Sequence, residues 1–346
     1  MNQALWQNAL DAGIAAGAFP CYAAAVGCGD EIYFRSLGGN RAHFPEPLPL
    51  TDAALFDMAS LTKLMATTMA ALRLIDRGTL RLNDTIGRYF ERCYGKDAIT
   101  VFDLMTHSSG LPAHAPLWQM GIDPRDAADA ILSPELKYPT GSRVIYSCMG
   151  YILLGKLLER LCGESLDAIV RREVLLPLGM HDTFYNPTPE RICVATEKKA
   201  GSEHYICGHV HDENAHFLGG VSGNAGLFST LDDTIRFAAM LSRHGQGYLD
   251  RELFDLAITD HTAFDPDDAR GLGFDLYRSG TYPGGSCMSV GSYGHTGFTG
   301  TTLYVDRDSG VYALMLSNRV HFGRANDAFY PMRRAFFDAV FTDLKQ

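Results

Sequence analysis

Ser60 and Lys63 stand three positions apart in the run Phe56-Asp57-Met58-Ala59-Ser60-Leu61-Thr62-Lys63. At the head of a helix, that spacing puts a hydroxyl and an amine on one face, about a turn apart. The helix N-terminus beside them favours developing negative charge. Such a pair suits a serine nucleophile with an amine that manages its proton. The chain has 18 serines and 7 lysines in 346 residues, so chance alone gives about 0.4 Ser-x-x-Lys matches. The pair therefore needs partners before it carries weight.

Two further clusters could supply them. Tyr146-Ser147-Cys148 precedes a helix beginning near Gly150, and His295-Thr296-Gly297-Phe298 lies on a glycine-rich approach to a strand at Thr301. Lysine and tyrosine ordinarily titrate near 10.4 and 10, so neither is a ready base at pH 7. Burial of Lys63 would favour its neutral amine, whereas a Lys63 cation close to Tyr146 would favour the phenolate. Either form could take the Ser60 proton, and the sequence leaves both open.

Taken together, the clusters resemble the serine hydrolases of the penicillin-binding-protein and class C β-lactamase superfamily. Its signatures are Ser-x-x-Lys, Tyr-x-Asn and Lys-Thr-Gly or His-Thr-Gly, in that order. Further blocks extend the likeness: Leu104 to Pro112 (with Thr106-His107-Ser108-Ser109-Gly110), Tyr146 to Gly155, Ala225 to Thr230, and Gly294 to Gly300. The resemblance implies that Ser60 is the acylated nucleophile, Lys63 its activating neighbour and Tyr146 the general base and acid. It also implies an oxyanion hole from the Ser60 and Phe298 N–H groups, with Cys148, His295, Thr296 and Gly297 facing the substrate. No metal or other cofactor is expected.

Two positions depart from that pattern. Cys148 stands where asparagine is usual, and a thiol is a weak donor and acceptor. His295 replaces lysine, and an unperturbed imidazole is mostly neutral at pH 7, so a fixed counter-charge for a substrate carboxylate is expected to be lost. Both departures favour small esters, amides or D-amino-acid-type peptides over penicillins. The alternatives are a true β-lactamase or D-alanyl-D-alanine carboxypeptidase, and a catalytically silent homologue that only binds a ligand.

The elements that must position these residues follow from periodicity. Trp6, Leu10 and Ile14 mark an amphipathic first helix closed by Gly17. Cys21–Cys28 and Glu31–Ser36 read as a hairpin turning at Gly29-Asp30. The helix carrying Ser60 ends at Gly78, and helical signals dominate from Asn83 to about Leu178. Thr230 with Asp233 has the spacing of a capping box. Strands are expected at Gly271–Tyr277, Thr301–Asp306 and Val311–Ser317, and a last helix from about Asn326 with Phe329, Met332, Phe336 and Val340 on one face.

The expected fold class is α/β (α+β) of the β-lactamase-like kind: an antiparallel sheet flanked by terminal helices, plus an all-helical part. Residues 1–59 and 224–346 would form the α/β part and 60–223 the mainly helical part, with the active site in the crevice between. Residues 112–121 and 280–293 are expected to shape the pocket.

Composition bounds the rest. A formal charge of −10 with no basic stripe disfavours nucleic acid and anionic membranes as partners. A small molecule or short peptide is the expected partner, with oligomeric state open. Eight cysteines without a Cys-x-x-Cys fit free thiols, and with no signal-like first segment the expected location is the cytoplasm. On a strand, His209 and His211 would share a face and with Asp212 could approach a metal, but no further ligand at zinc-like spacing accompanies them. His107 is expected to hold structure through hydrogen bonds and not to act as a base.

Overall fold

The computed structural model describes residues 1–199 and 201–345. Helix α1 (Gln3–Ala15) leads into strands β1 (Cys21–Cys28), β2 (Glu31–Ala42), β3 (Leu48–Pro49) and β4 (Phe56–Asp57). A wider π-type segment, Lys63–Thr68, runs into α2 (Met69–Asp76). Next come α3 (Val101–Met105), α4 (Ala127–Leu132), α5 (Cys148–Cys162), α6 (Leu166–Val170), β5 (Phe184–Tyr185) and α7 (Glu213–Phe217). The chain returns through β6 (Leu227–Ser229), α8 (Leu231–Ser242), α9 (Arg251–Ala257) and β7 (Asp275–Leu276). It ends with β8 (Tyr293–Thr296), β9 (Thr302–Val305), β10 (Val311–Ser317) and α10 (Phe329–Asp343).

Period-two alternation explains how the main sheet is covered. In β1, Tyr22, Ala24 and Val26 join Ala313 and Met315 of β10 beneath Trp6 and Leu10 of α1 and Phe336 and Val340 of α10. Cys21, Ala23 and Ala25 point the other way, with Leu314 and Leu316, into the core shared with α8 and the helical region. Both faces are buried, so these strands read as continuous apolar runs. The sheet has order β3-β2-β1-β10-β9-β8-β7 and its pairings are antiparallel.

A second, three-stranded sheet, β4-β6-β5, lies under the turn that carries Ser60. Among the described residues no helix is long and apolar enough to cross a membrane.

Several expectations are corrected. The hairpin's second strand runs on to Ala42, well past Ser36. The strand expected over Gly271–Tyr277 shrinks to Asp275–Leu276, because Gly271 and Leu272 turn back onto Phe274 and Ala257. The capping box is half-formed. Thr230 accepts from the Asp233 N–H, but the Asp233 carboxylate instead receives the Asp182 N–H, the Thr183 hydroxyl and Arg236. His209–Asp212 is loop, not strand: Asp212 caps α7 by accepting from the Ala215 N–H, and His211 pairs with Glu197 at 2.7 Å.

Candidate active site

Ser60 sits on a tight turn. The Leu61, Thr62 and Lys63 N–H groups bond to the Met58, Ala59 and Ser60 carbonyls, and Ala59 is left-handed at φ 46°. π-type turns then carry Lys63 inward, where it is wholly buried. Its Nζ donates to Ser60 Oγ at 2.9 Å and to the Asn224 carbonyl at 3.0 Å. Tyr146 closes the cluster, its ring centroid 4.9 Å from Lys63 Nζ.

Charge is distributed unevenly here. Burial acts to lower the Lys63 ammonium, but ionisable Cys148 and Tyr146 beside it, with Asp212, hold it above the usual lysine range. Burial raises the Tyr146 phenol, and Lys63 and Ser60 offset part of that rise. At neutral pH both therefore carry their protons, with Lys63 acting as donor to its two oxygens.

His107 fixes Tyr146 from both sides. The Ile145 N–H donates to the His107 carbonyl at 2.9 Å, and the Ser147 N–H donates to His107 Nδ1 at 3.0 Å. The two rings pack at 4.7 Å. Burial, then Arg270 and Lys63, keep this imidazole neutral well below its usual range. Its expected structural role has this geometry.

The third cluster ends β8. His295 is buried, with Nδ1 2.7 Å from the Thr296 carbonyl and Nε2 unpartnered. Burial pushes its pKa down to about 3. The ring thus presents a neutral acceptor at Nε2 where a Lys-Thr-Gly motif would place an ammonium. A Cβ on Gly297 would lie 2.1 Å from Thr301 Oγ1 and 2.4 Å from the Met58 carbonyl oxygen, so only glycine lets this strand approach the serine turn so closely. Among the described residues the Ser60 and Phe298 N–H groups bond to no acceptor.

These residues border one cavity of about 470 Å³, with Ser60, Tyr146, Cys148, His295, Thr296, Gly297 and Phe298 in its wall. Of the loops expected to shape it, 280–293 contributes Pro283 and 112–121 contributes nothing; Trp118 lines a neighbouring cavity instead. Cys148 is half-buried at the first position of α5, its N–H held by the Ala113 carbonyl at 2.9 Å.

The expected loss of positive charge is corrected. Arg270, Arg319 and Arg333 all line the cavity. Arg270 lies 5.4 Å from the Tyr146 ring and pairs with Asp268 and Asp275. Arg319 is held through the Phe298 and Arg324 carbonyls, and Arg333 is buried against Phe329 and Tyr330. Among the described residues neither Arg319 nor Arg333 has a carboxylate partner. No periodicity marks these arginines; only the fold brings them to the serine.

Known proteins resemble this chain in sequence and in fold. The family model described as Beta-lactamase matches residues 6–335. The chain belongs to the beta-lactamase family. A curated relative from Escherichia coli (strain K12), named "Putative D-alanyl-D-alanine carboxypeptidase", is 34% identical over 313 residues, covering 80% of this chain and 71% of that protein. The fold is shared with EstCE1, a hydrolase with promiscuous acyltransferase activity (TM-score 0.80, 19% identity, 98% of both chains). It is shared too with the octameric penicillin-binding protein homologue from Pyrococcus abyssi (TM-score 0.77, 19% identity, 100% of this chain and 78% of that one). This beta-lactamase family member is a serine hydrolase with a β-lactamase-like α/β fold.

Proposed function

We propose that the enzyme hydrolyses small amides or esters bearing a free carboxylate, D-amino-acid-type peptides above all, through an acyl-enzyme on Ser60. The observation that carries this reading is one cavity lined by Ser60 and Tyr146, with Lys63 bonded to Ser60 behind the wall, and by two guanidinium groups, Arg319 and Arg333, that have no carboxylate partner among the described residues although Asp212 borders the same cavity. Buried cations without counter-ions are costly, and an anionic substrate group would complete them. The curated relative named for D-alanyl-D-alanine carboxypeptidase activity supports the same substrate class.

In acylation, the reactive form is the minor one in which Tyr146 has lost its proton to solvent; Ser60 Oγ attacks the carbonyl carbon as its proton passes to that phenolate, which the Lys63 cation stabilises. The Ser60 and Phe298 N–H groups receive the oxyanion. Collapse breaks the bond to the leaving amine or alcohol, which takes the proton back from Tyr146. Water then attacks the ester by the same route in reverse and frees Ser60.

The test is paired substrates: an acylated D-Ala-D-Ala peptide, the same peptide as its C-terminal amide, a short p-nitrophenyl ester and nitrocefin, with Ser60→Ala as control. Preference for the free acid over the amide supports the reading. Equal rates for acid and amide, or nitrocefin as the best substrate, contradict it.

A further inference from the structure

Asp57 is the last residue of β4 and is buried at 2% exposure. Its side chain makes no ion pair among the described residues and instead accepts two backbone N–H groups. Oδ1 receives Ala59 N–H at 2.8 Å, and Oδ2 receives His211 N–H at 2.7 Å. The first bond braces the left-handed residue immediately before Ser60. The second reaches a segment distant in sequence, whose His211 ring stacks on Phe298 with centroids 5.9 Å apart.

The backbone around Asp57 is tied to the same strand end. Thr299 Oγ1 donates to the Asp57 carbonyl at 2.8 Å, and Thr301 Oγ1 donates to the Met58 carbonyl at 3.0 Å. The His211 arm is itself anchored by Glu197, which Arg324 also holds. One carboxylate is thus the common reference for the turn that presents Ser60 N–H and for the surroundings of Phe298 N–H.

We propose that Asp57 is a positioning residue that sets the separation of the two oxyanion-hole donors, Ser60 and Phe298, and so acts on the transition state without touching substrate. This inference rests on the acyl-enzyme reading above. A carboxylate is required because each of its oxygens accepts an N–H. In Asp57→Asn one of those N–H groups would face an amide NH₂, and in Asp57→Ala both lose their acceptor.

The test compares wild type, Asp57→Asn and Asp57→Ala for kcat and KM on the D-Ala-D-Ala peptide. It adds the Kd of a peptide boronic acid, which forms a tetrahedral adduct on Ser60, and the Kd of the carboxylate product. The expected result is a fall in kcat of about 100-fold, the scale of losing one oxyanion donor. KM and product affinity should stay near wild type while boronate affinity falls with kcat, Asp57→Asn being the milder of the two. Asp57→Asn, close in size to the native residue, carries the test if Asp57→Ala does not fold. Unchanged kcat and boronate affinity in a folded variant would overturn the proposal. So would a parallel loss of product binding and thermal stability, since that marks general disruption. Activity retained by Ser60→Ala would instead remove the acyl-enzyme reading, and this inference with it.

Discussion

Lys63 Nζ lies 2.9 Å from Ser60 Oγ while the whole lysine side chain is buried. A second bond, to the Asn224 carbonyl at 3.0 Å, gives the ammonium another anchor. A cation so placed can orient the serine and favour an ionised Tyr146, and the proposed mechanism divides the labour accordingly: Lys63 supplies charge and Tyr146 moves the proton.

Tyr146→Phe removes the proton acceptor while leaving the ring packed against His107. The kcat/KM for ester and peptide hydrolysis should fall by about 10²- to 10⁴-fold, the usual contribution of a positioned acid–base group. Steady-state kinetics on purified protein with unchanged near-UV circular dichroism checks this. Near wild-type rates would return the base role to Lys63.

The rate should climb with pH. Tyr146 must lose its proton to accept one from Ser60, and burial raises its pKa above the ordinary tyrosine value. Below that pKa the phenolate fraction rises tenfold per pH unit, so kcat/KM should rise from pH 7 to pH 9 without a plateau. His295, neutral down to about pH 3, should add no inflection near the usual histidine value of about 6.5. A pH–rate profile with an acid limb at that value that vanishes in His295→Gln would count against this.

Stability should follow the opposite ends of the same groups. His107 and His295 are held neutral by burial, with folded-state pKa values below the ordinary one. Between those values and about 6.5 the unfolded chain binds more protons, so stability is full above that pH and is lost as pH falls. Each histidine contributes a slope of up to about 1.4 kcal/mol per pH unit in that window. Urea denaturation at pH 7 and pH 5 measures the loss, which His295→Gln should reduce.

Arg333→Met tests the carboxylate end of the cavity. KM for a free-acid peptide should rise by roughly 10- to 100-fold, the scale of a hydrogen bond to a charged group. The KM of a neutral p-nitrophenyl ester should not move. A differential KM measurement decides it, and an equal change for both substrates would assign Arg333 to packing alone.

Much of this site was legible because chemistry and position coincide in short motifs. Ser60, Lys63, Tyr146 and His295–Phe298 each belong to a local pattern, and the fold gathers those patterns around one cavity. β10 was legible to the residue because its apolar run is bounded by Gly310 and Asn318. What escaped notice depends on distant contacts. Arg319 and Arg333 reach the cavity from the end of the sheet and from α10, and Asp57 acquires its meaning from a bond to His211, 154 residues away. Neutral His295 was expected, but the arginines that restore positive charge carry no sequence signature. Local spacing reveals a side chain's chemistry, whereas an ion's missing partner shows only in three dimensions.

The central claim is the covalent bond to Ser60. The direct measurement is intact-protein mass spectrometry after incubation with a fluorophosphonate, followed by peptide mapping of the adduct. A single adduct on Ser60, absent in Ser60→Ala and much slower to form in Tyr146→Phe, is the predicted result. An adduct on Cys148, or none in protein that still hydrolyses the D-Ala-D-Ala peptide, would contradict it.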